Sequence, residues 1–250
     1  MTIKYLCLDL YGPLASWGDV AVGQERASNT QPSRSAILGL LGAALGLQRD
    51  DPKQQRLFKD YGLAVCVEAA GVPIRDFHTA QVPSATNLKK RPTHTRRDEI
   101  QAGGLNTILS QREYQCDAMY RVVLWARPDA AWSLTDLKSA LEMPVYVLYL
   151  GRKSCPLSLP VRPEILEAES LSDCFSQCFA KREFAVLEQM KLNEIDVFEI
   201  SWDEDAVVGQ YQYQMIVQRR DQPRDRLKWH FSERRVFQAR ISRDTCSGEL

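Results

Sequence analysis

The sequence contains few histidines and lacks three motifs that are common in enzymes. Its 250 residues include only three histidines, and the formal net charge is zero at pH 7. There is no G-K-[ST] phosphate loop, no G-x-S-x-G nucleophile motif and no G-x-G-x-x-G dinucleotide motif. No apolar run approaches the roughly 20 residues that a membrane helix needs. We therefore predict a chain without a cofactor, without catalytic activity and without membrane contact.

Cysteine occurs in an odd number and without an evident disulfide pattern. The seven cysteines are scattered, several of them inside apolar runs: Cys7, Cys66, Cys116, Cys155, Cys174, Cys178 and Cys246. This distribution is typical of reduced, buried thiols in a cytoplasmic protein. Cys174 and Cys178 are the only close pair, and no second pair or suitable histidine completes the four ligands of a zinc site. We predict a cytoplasmic protein with no metal site.

Charge is segregated along the C-terminal part of the chain. Residues 164–205 are strongly acidic, whereas residues 206–243 are strongly basic. With 44% hydrophobic and 26% charged residues, the composition is globular, and the length suits one large or two small domains. The acidic tract is a candidate protein–protein surface, and a solvated insertion is the alternative.

A glycine-striped helix is predicted between Ser33 and Gly46. Ser33 or Ser35 can accept a hydrogen bond from a first-turn N–H, and Gly46 with Pro52 marks the end. Glycines inside a helix cost about 1 kcal/mol each relative to alanine, so we predict that another backbone approaches this stripe. Arg34 stands at the helix start, where an anion is favoured, and is a candidate phosphate ligand. The alternative is a buried core helix with a solvated Arg34.

Apolar periodicity predicts an α+β fold. The segments predicted as strands are 3–10, which is expected to be half-buried, 63–69, 112–126 and 145–150, with 72–78 as a strand or a turn. With a short helix at 135–142, the order is that of a ferredoxin-like, RNA-recognition-type domain over residues 1–155. The polar segment 79–111 would be a long inserted loop. A small β-rich C-terminal region would follow over residues 156–250, with strands at 211–218 and 236–241 and with the acidic tract helical to about Lys191.

The inserted segment is rich in bases. Residues 85–97 contain no acid, and their bases are Lys89, Lys90, Arg91, Arg96 and Arg97, together with His94. Bases without interleaved acids neutralise phosphates, which indicates RNA contact, with Arg96 and Arg97 as the favoured residues. A solvated loop whose like charges repel one another is the alternative.

Two other groups of residues are candidates for RNA contact. Arg152 and Lys153, in G-R-K-S after a predicted strand, suit phosphate binding, and an ordinary basic turn is the alternative. The candidates for stacking on RNA bases are Trp17, Phe77, His78 and Tyr114. For each of these side chains, packing in the core is the alternative.

Five segments, in order along the chain, resemble the CasD-like subunits of type I-E CRISPR complexes. They are L-Y-G-P-L-A-S-W-G at 10–18, P-S-R-S-A-I-L-G-L-L-G-A-A-L-G-L-Q-R-D-D at 32–51, R-D-F-H-T at 75–79, R-E-Y-Q-C-D-A at 112–118 and Y-L-G-R-K-S-C-P-L at 149–157. The resemblance implies the ferredoxin-like fold, with 79–111 as a projecting thumb. Residues 161–205 match poorly.

The resemblance also implies a function. The chain would be a non-catalytic RNA-binding subunit of a hetero-oligomeric surveillance complex in antiviral defence. It would cap the 5′ handle of the CRISPR RNA (crRNA), with the large and backbone subunits as protein neighbours and target DNA close by. The RNA-contacting residues would be Trp17, Arg26, Ser33, Arg34, His78, Lys89, Lys90, His94, Arg96, Arg97, Arg112, Tyr114, Arg152 and Lys153.

Two alternative functions remain open at this point. One is a metal-independent endoribonuclease that processes precursor crRNA, using His78 or His94 with Lys89, Lys90 or Tyr114. Against it, no histidine stands in a lysine–histidine pair like that of the cutting relatives. The other alternative is a protein-only scaffold subunit without an RNA role.

Overall fold

The architecture was obtained as a computed structural model. It describes residues 2–19, 21, 23–49, 51–90, 94–101, 104–180, 197–225, 228 and 230–242. The strands are β1 (Ile3–Tyr11), β2 (Leu14–Ala15), β3 (Trp17–Gly18), β4 (Glu25–Arg26), β5 (Ser28–Asn29), β6 (Tyr61–Ala69), β7 (Val72–Pro83), β8 (Leu105–Cys116), β9 (Met119–Ala126), β10 (Glu164–Ala168), β11 (Val197–Asp203), β12 (Met215–Asp225) and β13 (His230–Ser242). The helices are α1 (Arg34–Ala44), α2 (Pro52–Asp60), α3 (Ala85–Lys90), α4 (Arg96–Gln101), α5 (Leu134–Glu142) and α6 (Leu171–Ala180).

A seven-stranded sheet forms the centre of the molecule, in the order β10-β1-β9-β6-β11-β13-β12. Every neighbouring pair in it is antiparallel. Strands from both sides of residue 156 therefore hydrogen-bond within one sheet. The predicted C-terminal strands are present as β12 and β13 and are longer than expected, but β12 begins at Met215 rather than at residue 211. The acidic tract, which we predicted to be helical to about Lys191, begins instead with strand β10 and continues with α6. Residues 181–196 lie outside the described residues.

Helices cover both faces of this sheet. Leu6, Leu8 and Leu10 of β1 point to a core that α1, α2 and α5 complete. Tyr5 and Cys7, which alternate with them, point to a second core that contains α6. The prediction of a half-buried strand at 3–10 was therefore wrong in one respect, because both faces of β1 are buried. No described helix is long and apolar enough to cross a bilayer.

The first half of the sheet follows the order β1-α1-β6-β9-α5-β10, with β10-β1-β9-β6 as the spatial order. The predicted strand at 145–150 is absent from it, and β10 takes the edge position instead. The backbone N–H groups of Val145 and Tyr146 donate to the carbonyls of Ala44 and Ala43, over 3.0 and 3.1 Å. Residues after α5 therefore satisfy the last carbonyls of α1, which have no partner within the helix.

A long hairpin of β7 and β8 extends away from the central sheet. The strands pair without interruption from Val72 opposite Cys116 to Pro83 opposite Leu105. The predicted loop at 79–111 therefore contains regular structure: its two ends belong to β7 and β8, and α3 and α4 lie between them. The single strand predicted at 112–126 is divided into β8 and β9 at Asp117, which has a φ of 54°. Both faces of the hairpin carry exposed side chains, and the sequence consequently lacks apolar periodicity there.

We predicted that another backbone approaches the glycine stripe of α1, and among the described residues one does so only at the C-terminal end of the helix, through the backbone N–H groups of Val145 and Tyr146. A Cβ on Gly42 would lie 3.1 Å from the side chain of Gln54, and a Cβ on Gly46 would lie 3.0 Å from that of Val145. Gly46 has a φ of 75°, which accounts for glycine at the helix end. A Cβ on Gly39 would have nothing within 4 Å, because that side of the helix faces open space.

Candidate nucleic-acid interface

Strand register brings several predicted RNA contacts to one face of the hairpin. On β8, Arg112 lies opposite Asp76 of β7 and beside Arg26 of the short parallel strand β4. His78 lies two residues beyond Asp76, and therefore on the same face. Tyr114, two residues beyond Arg112, also belongs to this face. We call Arg26, Arg112 and Tyr114, together with Arg152 from a neighbouring loop, the basal cluster.

Arg152 joins this face from a loop that only glycine permits. Its guanidinium carbon lies 5.0 Å from the ring centroid of Tyr114, and its Nη2 donates to the carbonyl of Arg26 over 3.3 Å. The preceding Gly151 has a φ of 82°, and a Cβ there would lie 1.9 Å from the carbonyl oxygen of Ser16. Glycine therefore fixes the turn that presents Arg152. Tyr114 is buried beneath the guanidinium, so its ring is not open to an RNA base.

The cations of this face lack carboxylate partners. Within the described residues, no ion pair is made by Arg26, Arg112, Arg152 or the adjacent Lys153. Asp76, which lies opposite Arg112 in register, forms no ion pair with it and contacts the imidazole of His78. Like charges on neighbouring strands repel one another, and a bound anion would relieve that repulsion.

The opposite face of the hairpin is electrically balanced. Arg75 donates to Glu113 over 2.6 Å, and this hydrogen bond lowers the pKa of the Glu113 carboxyl below its ordinary value. Phe77, with 60% of its surface exposed, also lies on this face. It is the one aromatic among the predicted stacking residues that the structure leaves largely open on its surface.

The helices at the hairpin tip carry the bases of the inserted segment. Arg96 donates to Glu99 over 2.7 Å and also to the backbone carbonyl of Gln81, which fastens α4 to β7. Arg97 is exposed and has no ion-pair partner among the described residues. The other predicted contacts here are Lys89 and His94, which are exposed, and Lys90, whose side chain lies outside the described residues.

A groove runs beside α1. One cavity of about 940 Å³ is lined by Ser33, Gly39, Arg49 and Lys153, among others. A second cavity of about 1100 Å³ contains Arg219 and shares Ser33 with the first. We call the two together the α1 groove. Lys153 connects it to the basal cluster, because the next residue towards the N-terminus is Arg152.

Two predicted contacts are internal. Trp17 is buried and packs its ring edge-on against Tyr120, with centroids 5.4 Å apart, so it stacks within the core. Arg34 is also buried, and its guanidinium donates to Asp203 and to two backbone carbonyls. The anion at the start of α1 is the protein's own Asp221, whose carboxylate accepts from the backbone N–H of Arg34 over 2.8 Å. We therefore remove both residues from the candidate surface and assign Ser33 its hydrogen-bonding role as the N-cap of α1.

Two groups of the ribonuclease alternative, His78 and Tyr114, do not converge. His78 lies opposite Ser110, and Tyr114 lies four residues from Ser110 along β8. At a rise of about 3.3 Å per residue, about 13 Å separates these two positions, whereas a general base must come within about 3 Å of the proton it removes. Lys89 and His94 lie beyond the end of β7, at the hairpin tip.

Comparison with known proteins places this chain in a family. A family model described as "CRISPR-associated protein (Cas_Cas5)" matches residues 5–237. The chain belongs to the Cas5 family. This Cas5-family chain is 37% identical over 167 residues to the CRISPR system Cascade subunit CasD of Escherichia coli (strain K12), covering 63% of this chain and 69% of that protein.

Solved structures agree with this fold. A chain of a CRISPR RNA-guided surveillance complex superposes with a TM-score of 0.61 at 23% identity, covering 95% of this Cas5-family chain and 90% of that chain. A crystal structure of a Cas protein gives a TM-score of 0.59 at 22% identity, with 96% of both chains covered. The mixed α/β architecture with a mostly antiparallel sheet, and the resemblance on which we based the family, are confirmed.

Sequence reasoning missed two residues of the α1 groove. Arg49 and Arg219 line it, but neither was among the predicted RNA contacts, although Arg219 belongs to the basic segment 206–243. Gly39 was noticed for its cost in the helix, but its open side was not foreseen. The available signal was the glycine itself, because a helical glycine without a packing partner indicates space reserved for something else.

Proposed function

We propose that this chain is a non-catalytic RNA-binding subunit of a type I-E CRISPR surveillance complex, where it holds the 5′ handle of the crRNA. The observation that carries the proposal is the basal cluster with Lys153, whose cations have no carboxylate partner among the described residues. Phosphates of a single strand supply the missing negative charge. Membership of the Cas5 family, and identity to a protein named as a Cascade subunit, support the assembly in which this happens.

The fold supports the same assignment. The element order β1-α1-β6-β9-α5-β10 and the spatial order β10-β1-β9-β6 are those expected of a ferredoxin-like domain, which we assign to the first half of the sheet. We assign the β7–β8 hairpin, with α3 and α4, as the thumb. Arg97 at its tip and Arg112 at its base would then follow one strand of RNA. The two contacts are far enough apart to hold several nucleotides.

A binding role fits the geometry better than cleavage. His78 and Tyr114 lie about 13 Å apart, at a rise of about 3.3 Å per residue, and so do not provide a base and an acid around one 2′-OH. The chain would contribute affinity for phosphate and 2′-OH groups and would leave the guide RNA intact. We place this activity in the cytoplasm, with the large and backbone subunits as neighbours.

The test is guide binding by the assembled complex. Arg112→Ala combined with Arg152→Ala should weaken binding of the guide RNA and flatten its dependence on salt, by about 0.7 in slope per lost phosphate contact. Arg56→Ala is the matched control, because Arg56 is an exposed arginine paired with Asp60 on α2. Filter binding at several salt concentrations measures both quantities.

Each outcome assigns the chain to one class. If the double variant forms an intact complex whose affinity for guide RNA and salt slope are unchanged, the protein-only scaffold is the function that remains. Shortening of a precursor crRNA by the chain alone in EDTA, lost in the His78→Ala, His94→Ala double variant, would instead establish the endoribonuclease.

A further inference from the structure

Three cysteines that are far apart in sequence meet inside the second core. Cys174 and Cys178 lie one turn apart on α6, and Cys7 lies on β1 beneath them. All three sulfur atoms lie within 4.8 Å of one another, and those of Cys7 and Cys174 are 3.4 Å apart. Sequence reasoning considered only the Cys174–Cys178 pair, because β1 and α6 are brought together by the fold alone.

These distances match a metal-binding arrangement. Sulfur ligands at the zinc–sulfur distance of about 2.3 Å in a tetrahedral site are about 3.8 Å apart from each other. The three thiols therefore need only small shifts to share one ion. All three residues are buried, so the packing of the second core holds the thiols in place.

The cluster has a route to solvent and a candidate for the fourth position. Cys7 and Cys178 line a cavity of about 800 Å³, together with Arg121 and Glu164. Glu164 of β10 lies directly opposite Cys7 in the strand register. Directly opposed residues share a face of the sheet, so this carboxylate is on the same side as the Cys7 thiol. Arg121 also lines the cavity, and its guanidinium is already paired with Asp9 over 2.8 Å and with Glu68 over 3.2 Å.

We propose that Cys7, Cys174 and Cys178 form a binding site for one thiophilic metal ion, such as Zn²⁺, with an open fourth position on the cavity. Three soft thiolates select such ions over hard cations such as Mg²⁺. The site would join α6 to β1 and would act separately from RNA binding, because it lies in the core on the α6 side of the sheet, whereas α1 covers the other face.

The test is a titration of the full-length, reduced, metal-free chain with Co²⁺ as a spectroscopic probe. A thiolate-to-cobalt charge-transfer band should saturate at one equivalent and disappear when Zn²⁺ displaces the cobalt. Replacing a residue that only supports a metal ligand commonly costs 10–100-fold in metal affinity. Loss of a ligand itself, in Cys7→Ser, Cys174→Ser or Cys178→Ser, should therefore cost about tenfold or more. Cys116→Ser, a half-buried cysteine on β8 outside the cluster, is the control and should leave the titration unchanged.

A second measurement on the unmodified chain covers the case in which a variant fails to fold. Bound Zn²⁺ should slow alkylation of the three thiols, read by mass spectrometry, and should leave the rate at Cys116 unchanged. The proposal is overturned if no charge-transfer band appears, if the band survives loss of any cluster cysteine, or if Zn²⁺ protects none of the three thiols. A Cys7–Cys174 disulfide in the chain purified without reductant would overturn it as well.

Discussion

The guanidinium of Arg34, in the first turn of α1, donates to the carboxylate of Asp203, at the end of β11, over 2.5 Å inside the protein. Asp203 also accepts from Arg234 of β13 over 2.5 Å and from the backbone N–H of Leu63 over 3.0 Å. Burial lowers the pKa of Arg34 to about 10, partly opposed by the charge of Asp203. This network joins the helix beside the groove to the C-terminal strands.

We expect Asp203→Ala to destabilise the chain by about 3–5 kcal/mol, because it leaves the buried Arg34 without its counter-charge. The free energy of unfolding in urea measures the loss. Glu204→Ala is the matched control, since the next residue forms an exposed ion pair with Arg235 and should change stability by only about 0–1 kcal/mol. Equal effects of the two substitutions would contradict a structural role for the Arg34–Asp203 pair.

The carboxylate of Asp221 makes stability depend on acid pH. Burial raises its pKa, but the hydrogen bonds and charge of Arg234 outweigh burial, and the net pKa lies below the ordinary value. An unfolded aspartate titrates near pH 4, so the contribution of Asp221 is present above about pH 4 and is lost as the pH falls through the folded pKa.

We therefore expect Asp221→Asn to flatten the fall in unfolding free energy below about pH 4, by up to about 1.4 kcal/mol per pH unit. Urea unfolding at a series of acid pH values gives this slope. Glu233→Gln, at an exposed position on β13, provides the control for loss of a carboxylate. The same slope in Asp221→Asn and in the unmodified chain would show that this carboxylate does not titrate as its surroundings indicate.

The sequence pattern predicted those elements that depend on interactions between residues close together in the chain. The helix start at Ser33 was predicted because its hydroxyl can cap a first-turn N–H, and it accepts from Ala36 over 3.2 Å. Beside Arg34 we predicted a phosphate, and the structure has a carboxylate of the protein, that of Asp221, in place of that anion. Its identity was not predictable, because Asp221 lies 187 residues away and reaches the helix only through the completed sheet.

The missed elements were decided by distant partners. The run 145–150 has the apolar character of a strand, but Val145 and Tyr146 satisfy carbonyls of α1 instead. The hairpin strands lacked a pattern because neither of their faces is a continuous core. For the candidate site, the residue types were predictable, whereas the burial of Trp17 and Arg34 depends on how the short strands and α1 pack.

Adjacent arginines at the hairpin tip should behave differently. Arg97 is exposed without an ion-pair partner in the described part of the chain, so Arg97→Ala should lower the salt slope of guide binding by about 0.7 and leave stability within about 0.5 kcal/mol. Arg96 fastens α4 to Gln81 and Glu99, so Arg96→Ala should loosen α4 as well. Hydrogen exchange of α4 measures the loosening. An unchanged salt slope in Arg97→Ala would remove the tip from the guide path.

The open side of Gly39 gives the sharpest test of the α1 groove. Alanine should stabilise the free chain by about 1 kcal/mol, because helix propensity rises and the added Cβ meets nothing within 4 Å. The same methyl group projects into the groove, so guide RNA should bind the Gly39→Ala complex several-fold more weakly. Gly42→Ala is the control on the same helix, because a Cβ there meets Gln54 and α2 rather than the groove. Thermal unfolding of the chain and filter binding of the complex measure the two effects. A stabilised chain with unchanged guide affinity would show that RNA does not lie along this side of α1.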